Sequence, residues 1–435
     1  MRNFFGSMQW AFFILANIVV IPVSVGYAFG LSLPEIATLL QRTFFVIGVT
    51  SLLQGLFGHK LPLNESPAGL WWSLFLIYAG VVGAGDAEAS TVLRSLEMGI
   101  LIAGILIILL SVFRLMEPIK KLFTPLVTGT YMILLVSQLA GPFTEGILGI
   151  GYLTEGFDGK VAVLSLVILI FAVVLAKSRS AIFSSYSVLF SLAFGWILFA
   201  IFGVTKPLDV GTTSWISVPM PFAWGSPTFD LGIVIVSIFT TFLLLTNLVA
   251  SADVVSKVVG QKEKVDYNRS GFVMGINHII AACFSVVGSV PIAAVAGFIS
   301  TTKVKEKLPY IIGSAAILVM SFFPVIMTFL ASLPVPVGYA TLFLSISSLA
   351  GIGINALRNT LDDVHSPSII SLSLMAGFGL MAVPYAALKH LPDALTSLIS
   401  NGLVVGVIIC ITLEQIFKAT QRKQANKQEE NQAGA

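Results

Sequence analysis

"GHKLPLNESPAGLWWS", residues Gly58 to Ser73, decides how the chain is read, because it places helix-breaking, polar backbone where a membrane helix is due to begin. Pro62 and Pro67 cannot donate amide hydrogens, Gly69 lets another backbone or a ligand approach closely, and Glu65 adds an ionisable group. Unpaired N–H and C=O groups are costly in hydrocarbon, so such a stretch survives at membrane depth only if protein buries it or if it lines a wet cavity. An ordinary short cytoplasmic loop is the plainer reading of the stretch alone. The rest of the chain decides between them.

The 435 residues are 56% hydrophobic and 10% charged, with a mean hydropathy of +0.96. That balance belongs to an all-α polytopic membrane protein and excludes a soluble domain. Cys283 and Cys410 both lie in apolar stretches, which offers neither a disulfide framework nor a metal site. The run from Met1 to Phe29 has one arginine and no small-x-small cleavage pattern, so it is read as a first helix, not a signal peptide.

With about 20 apolar residues per crossing, roughly fourteen hydrophobic segments are expected. They start near Met8, Glu35, Ser66, Ser90, Phe123, Val161, Ala181, Phe229, Ser270, Pro291, Leu308, Pro336, Pro367 and Thr396. The third and tenth are short and interrupted. If the N-terminus is cytoplasmic, the outer loops keep only Arg94, Lys160, Lys206 and Lys389 of the 24 Lys and Arg, and Arg42 falls within a span. This positive-inside asymmetry predicts a multi-pass protein of the cell membrane with both termini cytoplasmic. The polar tail at 418–435 lacks aromatics and is expected to be disordered.

The interrupted stretch has a counterpart. "VVGSVPIAAVAGFIST", from Val286, likewise runs from Gly through an apolar-Pro step to an Ala-Gly pair. "TPLVTGTYMILLVSQLAG" from Thr124 and "VPVGYATLFLSISSLAG" from Val335 share Pro, Gly, Tyr and a closing Leu-Ala-Gly. These are segments three and ten, then five and twelve. A partner seven segments later faces the opposite way through the bilayer, so two inverted repeats are expected, at 1–204 and 205–417. Paired interruptions in inverted halves point to a transporter's midplane site. Free amides at the following half-helix starts, near Ala68 to Leu70 and Ala296 to Phe298, would carry positive dipole character toward a solute.

At these residues the chain resembles the nucleobase-cation symporter-2 family, also called nucleobase-ascorbate transporters, which includes uracil, xanthine and uric acid permeases. The resemblance covers nearly the whole chain. "NHIIAACFSVVGSVPIAAVAGFIS" is similar to the family's Asn-Gly…Gly-Ser-x-Pro…Gly-Glu-Asn-Ile-Gly stretch through Asn277, Gly288, Ser289, Pro291 and Ile299, and "MQWAFFILANIVVIP" resembles its Gln-His opening at Gln9, with Pro22 beyond. The resemblance implies a seven-plus-seven inverted repeat. In it, spans 1–4 and 8–11 form a core, spans 5–7 and 12–14 form a gate, and short extended strands in spans three and ten cross near the substrate. It also implies a nucleobase as substrate, a proton or sodium ion as coupling ion with no other cofactor, and a homodimer through the gate.

Carried over by position, the backbone at Gly69 with Ala68, and at Ala296 with Gly297, would contact the base, with Gln9 and Trp10 nearby. The departures are informative. The family's histidine is Trp10 here, its eighth-span glutamate falls at Asn247, and its tenth-span glutamate at Gly297. Coupling must then use another group or be absent. Glu65 is one candidate, against a cytoplasmic-face charge paired with Lys60. Asp253 is a second, against an ion pair with Lys257 one turn on. His278 is a third, against a packing histidine. Asn247 can read a base edge or act as interhelical glue, and Asn17 faces the same choice. Trp71 and Trp72 can stack on a planar base or belong to an aromatic belt. Arg42 can hold an anion or snorkel outward.

The expected function is a secondary transporter importing a purine or uracil by proton symport, with the lipid bilayer and the base as its partners and no nucleic acid. The alternative is an anion transporter or channel of the same inverted fold. A membrane-embedded enzyme would need clustered ligands or a nucleophile-base pair, and His59, His278, His365 and His390 show no such spacing.

Overall fold

The third helix shows how this chain starts a membrane segment. Ser32 donates its N–H (2.7 Å) and its hydroxyl (2.6 Å) to the Glu35 carboxylate, and Pro34 sits in the first turn, so helix Leu33–Leu56 begins with its end groups satisfied. Asp230 does the same for helix Leu231–Val259 by accepting from the Ile233 N–H at 2.8 Å, and Gly260, at φ +79°, ends it. In a computed structural model of the chain, residues 2–83, 85, 87–206, 214–261, 263–358, 360–388 and 390–433 are described. Asp86, Lys262 and Lys389 of the loop charges lie outside the described residues.

The chain divides into two compact units. The first comprises Met1–Glu117 and Ala140–Ser345, so it draws on both expected halves. It contains two similar series. One runs from helix Leu33–Leu56 through strand β1 (Glu65–Pro67) to helices Gly69–Gly83 and Ala89–Val112. The other runs from helix Tyr267–Cys283 through strand β2 (Ser289–Pro291) to helices Ala294–Thr302 and Lys307–Met320. The strands pair antiparallel, with Glu65 opposite Pro291, Ser66 opposite Val290 and Pro67 opposite Ser289. The residue after each proline extends the pairing: Ala68 N–H donates to the Gly288 carbonyl at 2.8 Å and Ile292 N–H to the Asn64 carbonyl at 3.3 Å.

Residues 61–68 are buried throughout, as is each residue of β2. Residues 61–68 are therefore no solvent loop. Their backbone finds partners in a segment more than 200 positions away, where their own prolines forbid a helix.

Close helix packing holds the ribbon's flanks. Helices Ala89–Val112 and Tyr267–Cys283 cross at Gly104 and Gly275, where a Cβ on either would come within 2.8 Å and 2.7 Å of the other's carbonyl oxygen. Small residues at such a crossing let the two backbones approach. Gly275→Val, which would also meet the Ile108 side chain, is expected to destabilise the protein by about 1–3 kcal/mol, read as a lower melting temperature in detergent.

The second unit, Pro118–Leu139 with Ile346–Ala435, packs helix Ser366–Met381 against helix Gly402–Ala433 at Gly377 and Gly402. The latter helix runs through residues 418–433, which composition alone left without a fold. Ala, Gln, Lys and Glu dominate that stretch and no Gly or Pro interrupts it before Gly434, so helix propensity carries the turn pattern onward.

Among the described residues, eight helices are long and apolar enough to cross a membrane, or nine if the pair Lys307–Met320 and Pro324–Ala331, bent by 89°, counts as one span. Gly69–Gly83, Ser187–Ile201 and Ser366–Met381 are shorter apolar helices.

Candidate functional site

The ribbon carries one ionisable side chain, Glu65, in its end pair with Pro291. Glu65 is fully buried, its N–H points out of the ribbon to the Ser51 hydroxyl at 3.1 Å, and neither carboxylate oxygen has a hydrogen-bond partner of regular geometry. Ser289, diagonally across the register on the same face, brings its hydroxyl alongside. Tyr310 lies behind, its hydroxyl 2.6 Å from the Ser51 carbonyl and 2.9 Å from that of Leu63. Lys60, offered as a surface partner for Glu65, is exposed, while the carboxyl is sealed from solvent.

Beside the ribbon lies a cavity of ≈ 230 Å³ lined by Phe13, Asn17, Tyr186, Ser187, Gly297 and Phe298, among others. Phe13 and Phe298 stack at 4.4 Å and Tyr186 meets Phe298 edge-on at 6.2 Å. Asn17 ties this wall to β1, because its carbonyl accepts the Ser66 hydroxyl at 3.1 Å. A Cβ on Gly297 would meet nothing within 4 Å, and the same holds at Gly69. The cavity is below the roughly 300–1,000 Å³ of sites for drug-sized ligands, so it suits one small solute.

The expected contacts divide. Gly297 and Asn17 line the cavity; Gln9 and Trp10 are not part of that wall. Trp10 instead packs edge-on against Phe298 at 4.8 Å and Tyr310 at 5.1 Å, as a layer behind the cavity. The amides of Ala68 and Ala296, expected to be free, are spent: the first on the Gly288 carbonyl in the ribbon, the second on the Ala293 carbonyl at 3.0 Å in a tight first turn. Asn247 is half-buried and accepts from Ser251 at 3.3 Å, and the same hydroxyl reaches the Pro291 carbonyl at 3.0 Å, so Asn247 stands one side chain from β2. Asp253 lies about 200° round that helix from Ser251 and accepts from the Tyr267 hydroxyl near the turn to the next helix. It does not join the ribbon.

His278 is held at both ring nitrogens. Its Nε2 accepts from Trp71 Nε1 at 3.1 Å, which leaves the Nδ1–H to donate to the Met274 carbonyl at 2.9 Å. Both ring nitrogens are used by a single neutral tautomer, so His278 braces Trp71. His278→Gln is expected to lower the melting temperature and leave the pH profile of transport in place; a displaced profile would restore its role. Trp71 and Trp72 are buried, not belt residues, and Trp72 donates to Ser24 at 2.9 Å while stacking on Tyr339 at 6.2 Å. Arg42 does not snorkel: it is 3% exposed and gives its Nε to the Thr38 carbonyl and its Nη1 to the Phe284 and Ser285 carbonyls. Those donors are not open to an anion.

Two features escaped the sequence reading. Tyr186 and Ser187 line the cavity from a segment with no local signal for it. Glu97, a carboxyl within helix Ala89–Val112, carried the same signal as Glu65, a charge amid apolar residues.

Residues 1–386 match the model of a family described as Permease family. The chain belongs to this family. The chain is 41% identical over 434 residues to "Putative purine permease YwdJ" of Bacillus subtilis, covering 98% of each chain. It is 23% identical to the xanthine permease of the same organism, over 99% of this chain and 98% of that one. Among solved structures, it is similar to the transmembrane domain of the cyanobacterial bicarbonate transporter BicA, with a TM-score of 0.56, 15% identity and coverage of 95% of this chain and 97% of that chain. That likeness fixes the fold alone. The permease is a multi-pass membrane protein and not an enzyme.

Proposed function

We propose that this permease is a secondary transporter that brings a nucleobase, a purine or uracil, into the cell together with a proton. The observation that carries the reading is the small cavity walled by the Phe13–Phe298 pair and Gly297, joined through Asn17 to a buried strand crossing. A planar heteroaromatic solute matches the aromatic wall, and its N–H and C=O edges match Asn17 and the polar groups of the ribbon. The names of the two relatives, a purine and a xanthine permease, agree with this.

Glu65 supplies the coupling group in this reading. An ionised carboxylate without hydrogen bonds is unstable in an apolar interior unless a proton or a donor joins it. A proton and the N–H edge of a base both meet that need, which links their binding. Asn247 then serves as an adaptable partner reached through Ser251.

Fourteen passes in two inverted halves, 1–204 and 205–417, with β1 and β2 inside the third and tenth, complete the proposal. The two helix-strand-helix-helix series and the cation asymmetry support it, with both termini cytoplasmic in the cell membrane. A homodimer is added on the family resemblance. Binding of uracil, xanthine, hypoxanthine, guanine and urate to the full-length protein in vesicles tests the substrate, and uptake with an uncoupler tests the proton. Saturable binding of at least one base, with accumulation lost on uncoupling, is expected. Sulfate or bicarbonate flux for which no base competes overturns the reading in favour of an anion transporter.

A further inference from the structure

Glu97 is fully buried in helix Ala89–Val112 and takes no part in the site above. Its Oε1 accepts from the Ser285 hydroxyl at 3.1 Å, and its Oε2 has no hydrogen-bond partner. Arg42 faces it from helix Leu33–Leu56, yet gives Nη1 to the carbonyls of Phe284 (3.1 Å) and Ser285 (3.0 Å). Ser285 is thus gripped twice: Arg42 holds its carbonyl and Glu97 holds its hydroxyl.

Ser285 occupies a decisive place. It lies between the end of helix Tyr267–Cys283 and β2, at φ +52°, a left-handed conformation that strains a residue with a side chain. Its hydroxyl also receives the Trp224 N–H at 3.4 Å. A change at the Glu97 carboxyl therefore acts on the residue that aims the chain into the strand crossing.

We propose that Glu97 is a second proton-binding site of this permease, separate from Glu65, that acts on β2 through the Ser285 hydroxyl. When ionised, the carboxylate accepts the Ser285 O–H. When a proton from the aqueous phase binds at Oε2, the carboxyl gains a donor and Oε1 becomes a weaker, uncharged acceptor, which loosens its hold on the Ser285 hydroxyl. No other bond forms or breaks. The groups facing Glu97 are Arg42, Arg94 one turn earlier on its own helix, and the Cys283 thiol at the end of helix Tyr267–Cys283. Helix Gly69–Gly83 carries no Asp, Glu, Lys, Arg or His, and the charged group at the near end of helix Leu231–Val259 is Asp230, which caps its own helix. Ser285 is a positioning residue here.

The inference rests on the proposed proton coupling, so its test begins with a measurement that needs no base. Infrared difference spectra of the full-length protein in vesicles, recorded as pH is stepped, report protonated carboxyl groups directly. Glu97→Gln should remove one titrating carboxyl signal and leave another that Glu65→Gln removes. Ser285→Gly keeps the left-handed backbone without strain and deletes the hydroxyl, so it should shift the Glu97 signal in frequency and in pH midpoint. Spectra of both variants that superimpose on the wild type overturn the proposal, and Ser285→Gly alone decides it if Glu97→Gln does not fold. Uptake of radiolabelled xanthine, hypoxanthine, guanine and uracil under a one-unit inward proton gradient then reads the consequence. The wild type should accumulate its base about tenfold for one proton per base, and Glu97→Gln should only equilibrate it. Full accumulation by Glu97→Gln overturns the proposal, whereas a wild type that takes up none of the four counts against the nucleobase reading and leaves the infrared titration as judge.

Discussion

Glu65→Gln is expected to abolish concentrative uptake while the protein still folds and reaches the membrane. Glutamine keeps the size and planarity of the side chain, so the ribbon, whose backbone pairing runs from Asn64 to Ala68, loses no contact of its own. What changes is chemistry. The amide can neither take up a proton nor accept on both oxygens, and its NH2 brings donors beside the Ser289 hydroxyl, where the proposed coupling needs an acceptor. A hydrogen bond to a charged group is worth about 1.5–3 kcal/mol, so base affinity should fall roughly tenfold to hundredfold, with accumulation against a gradient lost altogether. Initial uptake rates, corrected for the amount of protein in the membrane fraction, and a melting curve in detergent measure the two halves of this expectation. Unchanged uptake would remove Glu65 from the mechanism. Unfolding would show the carboxyl to be a structural requirement of the crossing.

The crossing itself was legible because its signals are local. Pro62, Pro67 and Pro291 deny amide hydrogens, and a matched pair of such breaks has few physical solutions in an apolar interior. The partner of each strand residue was not legible, since three-residue strands carry no pattern that distinguishes one register from the next. That is why Ala68 and Ala296 were expected to offer free amides: nothing in the order of residues tells that the Ala68 N–H closes the ribbon on Gly288. Trp71 and Trp72 were read as stacking or belt residues, yet a buried indole needs an acceptor for its N–H, and His278 and Ser24 are those acceptors. Glu97 was hidden differently. One acid within a long apolar helix barely lowers its mean hydropathy, so a count of spans passes over it, although the cost of a charge in that setting marks it as plainly as Glu65. The Tyr186 wall of the cavity joins residues more than 100 positions apart and leaves no trace in either segment.

Two glycines near the crossing separate the roles of packing and of open space, and their substitutions are expected to fail in opposite ways. A Cβ at Gly288 would stand 2.5 Å from the Trp71 Nε1 and 3.2 Å from the His278 ring. Those rings are pinned to each other by the 3.1 Å hydrogen bond and cannot withdraw separately. Gly288→Ala should therefore cost about 1–3 kcal/mol and lower both the melting temperature and the amount of folded protein. At Gly297 a Cβ meets nothing within 4 Å, and the residue sits inside helix Ala294–Thr302. Replacing a helical glycine by a better helix former favours the folded state by up to about 1 kcal/mol. Gly297→Leu should thus melt no lower than the wild type. The same side chain, however, would project into the ≈ 230 Å³ cavity between Phe298 and Asn17, taking the space that the solute needs. Uptake should then fall at least about tenfold, the weight of 1.4 kcal/mol of lost binding, with folded protein in the membrane undiminished. Measuring melting temperature and uptake side by side for both variants tells whether this cavity is the route of the solute. If Gly297→Leu transports at the wild-type rate, the solute passes elsewhere, and the aromatic wall of Phe13 and Phe298 is packing alone.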